Sequence, residues 1–107
     1  MLVVIESPYA GNIEENVMYA RECMRDSLMR GEFPLASHLL YTQDKILNDD
    51  NPSERALGIK AGFEWGLYAD KVAMYVDNGI SKGMEQAEDY WRGRGKVIEI
   101  RRIKLVE

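Results

Sequence analysis

Apolar residues along this chain fall into two kinds of run, short continuous blocks and longer stretches spaced by three or four, and the two kinds alternate. Leu2-Val3-Val4-Ile5 is a continuous block, the pattern of a strand buried on both faces. Asn12 then opens an N-x-x-E pattern with Glu15, a helix cap. Ile13, Val17, Ala20, Met24 and Leu28 follow on one helical face, and Gly31 ends it. Phe33-Pro34-Leu35-Ala36 is a weaker second strand, with Pro34 placing it at an edge or a strand start.

The stretch from His38 to Asn51 has no single period. It mixes Leu39, Leu40, Ile46 and Leu47 with the polar cluster Asn48-Asp49-Asp50-Asn51, and it reads as a loop with one helical turn. Asn51-Pro52-Ser53-Glu54 supplies a cap, a proline at the first helical position and a glutamate at the third, for a helix to about Tyr68. Val72-Ala73-Met74-Tyr75-Val76 is another buried strand, and Asp77-Asn78-Gly79 turns the chain. Ser81 caps a helix to about Arg92, and Val97-Ile98-Glu99-Ile100 is the last strand. Strands alternating with helical crossovers predict a small parallel sheet in a three-layer α/β sandwich, one domain over residues 1–107.

Charge narrows the function. A net charge of −4 and a pI near 5.1 argue against a protein that tracks nucleic acid, since phosphate binding needs a basic surface. Arg92, Arg94, Lys96, Arg101, Arg102 and Lys104 are the basic concentration, read either as solvated element ends or as an anion-attracting rim. The single cysteine, Cys23, sits within a helical apolar pattern and reads as a core thiol. One cysteine and one histidine, His38, give no metal-ligand set, and no cofactor motif is present. No apolar run reaches membrane-spanning length, and MLVVIE lacks the basic start of a signal peptide, so the expectation is a cytoplasmic protein with no membrane partner.

Three places carry candidate chemistry. In an open parallel sheet, ligands bind beyond the carboxyl ends of the strands. Two loops there enter helix N-termini, Glu6 to Asn12 and Asp77 to Ser81, where free N–H groups and the helix dipole suit an anion. Ser7 offers a hydroxyl, Gly11 permits close backbone approach and Tyr9 has a ring for stacking; the plainer reading is a tight turn built by Pro8 and Gly11. Gly58, Gly62 and Gly66 lie on one helix face and call for close approach of the sheet, a ligand or a second subunit, the last giving a homo-oligomer. Ser81-Lys82-Gly83-Met84-Glu85 places a carboxylate in a helix's first turn, either as dipole-stabilising charge or as a nucleophile or base. His38, after a strand end, is a site-rim residue or a satisfied structural histidine.

Glu6-Ser7-Pro8-Tyr9-Ala10-Gly11 resembles the A-S-P-Y-x-G opening of small phage and bacterial proteins that look like members of the nucleoside 2-deoxyribosyltransferase-like superfamily. The resemblance continues through Asn16, Ala20, Pro34, Ala36-Ser37-His38-Leu39-Leu40, Asp49-Asp50, Pro52, Glu54-Arg55, Gly58, Gly62, Asp70 and Ile80-Ser81-x-Gly83-Met84. It implies a flavodoxin- or Rossmann-like fold and a nucleoside or nucleotide ligand, in a bacterial host cytoplasm if phage-encoded. It also implies that Ser7, Pro8, Tyr9, Gly11, His38, Ser81, Gly83 and Met84 contact that ligand. Gly83-Met84-Glu85 is similar to the transferase Gly-Met-Glu, which implies Glu85 as a nucleophile at the anomeric carbon and Asp77 as acid or sugar contact. Small relatives often carry their glutamate three residues after the methionine, where this chain has Ala87, flanked by Glu85 and Glu88. The resulting expectation is an N-glycosidic bond transferase or hydrolase. The alternative is a non-catalytic module that captures a nucleotide-derived metabolite or signal.

Overall fold

The computed structural model describes residues 1–104; the last three residues of the domain expected over 1–107 lie outside the described part. Strands β1 (Leu2–Glu6), β2 (Phe33–Leu35), β3 (Lys71–Tyr75) and β4 (Ile98–Arg101) form one parallel sheet in the order β2-β1-β3-β4. Helices α1 (Ile13–Met29), α2 (Ser37–Leu40), α3 (Pro52–Gly66) and α4 (Lys82–Gly93) connect them. Strand order therefore reverses between β1 and β3, which pair from Val3 with Lys71 to Glu6 with Met74.

Period-two alternation divides the core into two layers. Val3, Ile5, Ala73 and Tyr75 face Tyr19 and Cys23 of α1 on one side. Val4, Val72, Met74 and Val76 face Met84, Ala87 and Trp91 of α4 on the other, with Phe63 of α3 packed against them. This is the predicted three-layer α/β sandwich. Its helix starts follow the capping residues. Asn12 accepts from Glu15 N at 3.2 Å, Asn51 from Ser53 N at 2.9 Å, and Ser81 from Met84 N at 3.2 Å.

The glycine face of α3 is used within the chain. A Cβ on Gly62 would lie 2.6 Å from Ser37, and one on Gly66 would lie 2.2 Å from the Trp91 ring and 3.0 Å from Val4. Close approach is required, as the spacing predicts, but its partners are α2, α4 and the sheet. That packing takes these glycines out of the expected contact with a second subunit. Trp65 and Tyr68, in contrast, remain largely exposed.

Most of the basic residues near the C-terminus sit at solvated element ends, as expected, while Arg101 and Lys96 are drawn into the fold. Arg101 is 4 % exposed and bonds Glu32 through both terminal nitrogens, at 2.8 and 2.6 Å. Lys96 donates to the Leu67 and Ala69 carbonyls, Arg92 pairs with Glu88, and Arg94 lies over the Tyr90 ring. Arg102 reaches the Val76 carbonyl at 3.4 Å but, like Arg92, Arg94 and Lys104, remains exposed to solvent. No helix among the described residues is long and apolar enough to cross a membrane.

Candidate functional site

A cavity of about 570 Å³ opens where the carboxyl ends of β1 and β3 part, with walls from the β1–α1 loop, α2 and the segment after it, α3 and the start of α4. This is the crevice at which open parallel sheets hold ligands, and its volume lies within the roughly 300–1,000 Å³ of small-molecule sites.

The β1–α1 loop is set by Asn16, whose side-chain amide donates to the Tyr9 and Ala10 carbonyls at 2.9 and 3.0 Å. Gly11, at φ +98°, makes the left-handed step into α1. With the loop so held, Ser7 Oγ and His38 Nε2 share a hydrogen bond of 2.8 Å, and the Tyr9 and His38 rings meet edge-on with centroids 6.3 Å apart. Burial lowers the His38 pKa to about 4, so its imidazole is neutral at physiological pH. Opposite them, Ser81, Gly83 and Met84 bring the first turn of α4 to the wall.

Of the ligand residues expected from sequence, Ser7, Tyr9, His38, Ser81, Gly83 and Met84 line this cavity. Pro8 is buried beneath the loop and Gly11 is exposed at its outer edge; neither is on the wall. The two expected catalytic carboxylates are also elsewhere. The inner face of α4 is fixed by Met84, Ala87 and Trp91 at i, i+3 and i+7, so Glu85, one step around the helix from Met84, faces solvent. Glu88 is engaged by Arg92 at 2.9 Å. Asp77 accepts the Tyr19 hydroxyl at 2.6 Å and the Ile103 and Lys104 N–H groups at 2.9 Å each, which ties α1, the β3–α4 loop and the chain after β4 together. These hydrogen bonds outweigh burial and hold the Asp77 pKa below the ordinary value.

The carboxylate that does reach the cavity from the sheet is Glu6, the last residue of β1. It keeps some accessible surface yet is packed deeply enough that burial raises its pKa to about 7. The nearby Trp91 indole N–H offsets this in part, although Trp91 Nε1 makes no well-aligned hydrogen bond. Sequence reading missed Glu6 as a site residue. Its signal was available: an acidic residue closing an otherwise fully apolar buried strand. Tyr41, Thr42, Leu47, Asp49 and Arg55 were missed as well, and no periodic pattern marks most of them. Cys23 is fully buried and its thiol is pushed up to about 12, which leaves it a core residue. Among the described residues no three His, Cys, Asp or Glu side chains converge as a metal site.

The chain matches the family described as Domain of unknown function (DUF7768) over residues 1–101, and it belongs to that family. No curated protein matches it. Among solved structures, it is similar to a 2-deoxyribosyltransferase from the psychrotolerant bacterium Bacillus psychrosaccharolyticus. The TM-score is 0.67 at 16% identity, over all of this chain and 77% of that one. At that identity the likeness is one of fold, and it fits the Rossmann-type parallel sheet described above.

Proposed function

We propose that the cavity binds a nucleoside or nucleotide and that the protein acts on its N-glycosidic bond, as a deoxyribosyltransferase or hydrolase. The observation that carries this reading is the cavity itself, at the strand-order reversal of a fold shared with a 2-deoxyribosyltransferase. Its wall chemistry suits such a ligand. Tyr9, Tyr41 and Phe63 offer ring faces for a base, and Ser7, Thr42 and neutral His38 offer hydrogen bonds to sugar hydroxyls.

A second reading has its own support. α4 presents Gly83, Met84, Gln86 and Ala87 to the cavity, without a carboxylate, which favours a module that holds the ligand and leaves it intact. Thermal shift over deoxynucleosides and their 5′-monophosphates, followed by chromatography of the recovered ligand, separates the two. Recovered free base supports the enzyme, and unchanged ligand supports the binding module. No shift and no base release with any member rejects both.

A further inference from the structure

Among the described residues, three carboxylates line the cavity: Glu6, Asp49 and Glu54. Asp49 is taken by Arg55 Nη1 at 2.8 Å, and Glu54 accepts the Asn48 N–H at 3.0 Å in the first turn of α3. Both have structural work that accounts for them. Glu6 does not: among the described residues no well-formed hydrogen bond or ion pair engages its carboxylate, and its one nearby donor, Trp91 Nε1, is itself unpaired. A carboxyl held between the apolar layer of Val4 and Trp91 and a ligand-sized cavity is costly to keep charged, and one poorly aligned contact with Trp91 Nε1 offsets little of that cost. Such a group is explained by what it does to the cavity's occupant.

We propose that Glu6 is the acid–base residue that breaks the N-glycosidic bond of a nucleoside held in this cavity. The proposal rests on the nucleoside reading above. Protonated Glu6 gives its proton to the departing base nitrogen as the C1′–N bond breaks, the electron pair leaving with the base. Water then adds its oxygen to C1′ and releases a proton to the Glu6 carboxylate. The products are free base and a sugar bearing a C1′ hydroxyl, and the acid is restored. A carboxyl that titrates near 7 is suited to both halves of this cycle at neutral pH. The other charged or titratable groups on the wall are Tyr9 from the β1–α1 loop, His38 from α2, Tyr41 and Asp49 from the following segment, Glu54 and Arg55 from α3, and Lys82 from α4. His38 titrates near 4 and does not overlap the Glu6 limb.

The test uses the whole chain with deoxyadenosine, deoxyinosine, deoxycytidine, thymidine and their 5′-monophosphates, reading base release by chromatography and binding by thermal shift. The wild-type rate falls as pH rises through about 7, where Glu6 loses its proton. Glu6→Gln lowers the rate about 100-fold or more, the usual scale of acid–base catalysis, while the ligand-induced shift persists. Glu6→Asp, which keeps a carboxyl in case the amide disturbs folding, retains a measurable rate and moves the inflection. Base release that survives Glu6→Gln, that shows no inflection near 7, or that is lost instead in Glu85→Gln overturns the proposal. Ligand binding without base release in the wild type overturns it too, and leaves the nucleoside reading standing. No binding and no release overturns both.

Discussion

Replacing Glu6 by Gln removes a group whose charge the fold tolerates poorly, and the size of the effect follows from its titration. An ordinary glutamate titrates near 4.5, whereas in the folded protein Glu6 does so near 7. Between those values the native state holds a proton that the unfolded chain has lost, so stability falls as pH rises through the window. The stabilising contribution is fully present below 4.5 and gone above about 7. At about 1.4 kcal/mol per pKa unit, the difference amounts to roughly 3 kcal/mol. The neighbouring His38 has the opposite slope: its folded pKa is depressed to about 4, so its contribution is present above the ordinary 6.5 and lost as pH falls through 4. Subtracting the Gln variant from the wild type cancels that term. Urea unfolding followed by circular dichroism at pH 5 and pH 8.5 measures the remainder. On moving to pH 8.5, Glu6→Gln gains up to about 3 kcal/mol on the wild type, a midpoint shift of roughly 1–3 M urea. A wild-type-minus-variant difference equal at both pH values, within about 0.5 kcal/mol, refutes the reasoning. A variant more stable at alkaline pH but poorer at releasing base is the behaviour of a residue kept for activity at the expense of stability.

Other expectations follow from the packing. Gly66→Ala gains about 1 kcal/mol of helix propensity, but its methyl would meet the fully buried Trp91 ring at 2.2 Å; it destabilises by about 1–3 kcal/mol net in thermal melts, whereas Gly93→Ala, with nothing within 4 Å, stabilises slightly. Glu32→Gln removes the two-point counter-charge of the buried Arg101, leaves it only the partly exposed Glu99 at 2.9 Å, and costs about 2–3 kcal/mol in urea titration. With Arg101, Ser27 and Lys71 holding the Glu32 pKa near 2, its contribution is present above 4.5 and lost as pH falls from 4.5 toward 2, which acid unfolding monitored by fluorescence reads directly. Asp77→Ala removes the acceptor of the Tyr19 hydroxyl and of the half-buried Ile103 N–H, while the exposed Lys104 N–H turns to water, and it lowers the melting temperature by roughly 5–15 °C on about 1 kcal/mol or more per buried donor.

What the sequence made legible depended on how local the cause was. Strands β1 and β3 declare themselves because both faces are buried and the apolar runs are unbroken, and the helix starts because Asn12, Asn51 and Ser81 cap their own turns. The loop after β1 was readable as a candidate because it leaves a strand's carboxyl end for a helix N-terminus, and Ser7 and Tyr9 of that loop do line the cavity. The segment after β2 was not, because its form comes from packing against α3 rather than from any period of its own. Gly58, for instance, is shaped by Leu47 and Tyr41, residues that no helical spacing relates to it. Placing Glu85 needed the rotation of α4, which Met84, Ala87 and Trp91 fix through contacts with the sheet. Glu6 was visible as a residue, but its burial beside Trp91, with no well-formed hydrogen bond among the described residues, is a three-dimensional fact.

The way α3 presses on residues 38–51 has a consequence for how such a domain diversifies. That stretch contributes His38, Tyr41, Thr42, Leu47 and Asp49 to the cavity, while the sheet and α1 contribute the inner layer of Val3, Ile5, Tyr19 and Cys23. Ligand choice and structural integrity are thus written largely on separate stretches of chain. Substitutions at positions 41–49 reshape one wall of the cavity without removing a residue of the main apolar layers, so on this scaffold the cavity can be remodelled while the core stays as it is.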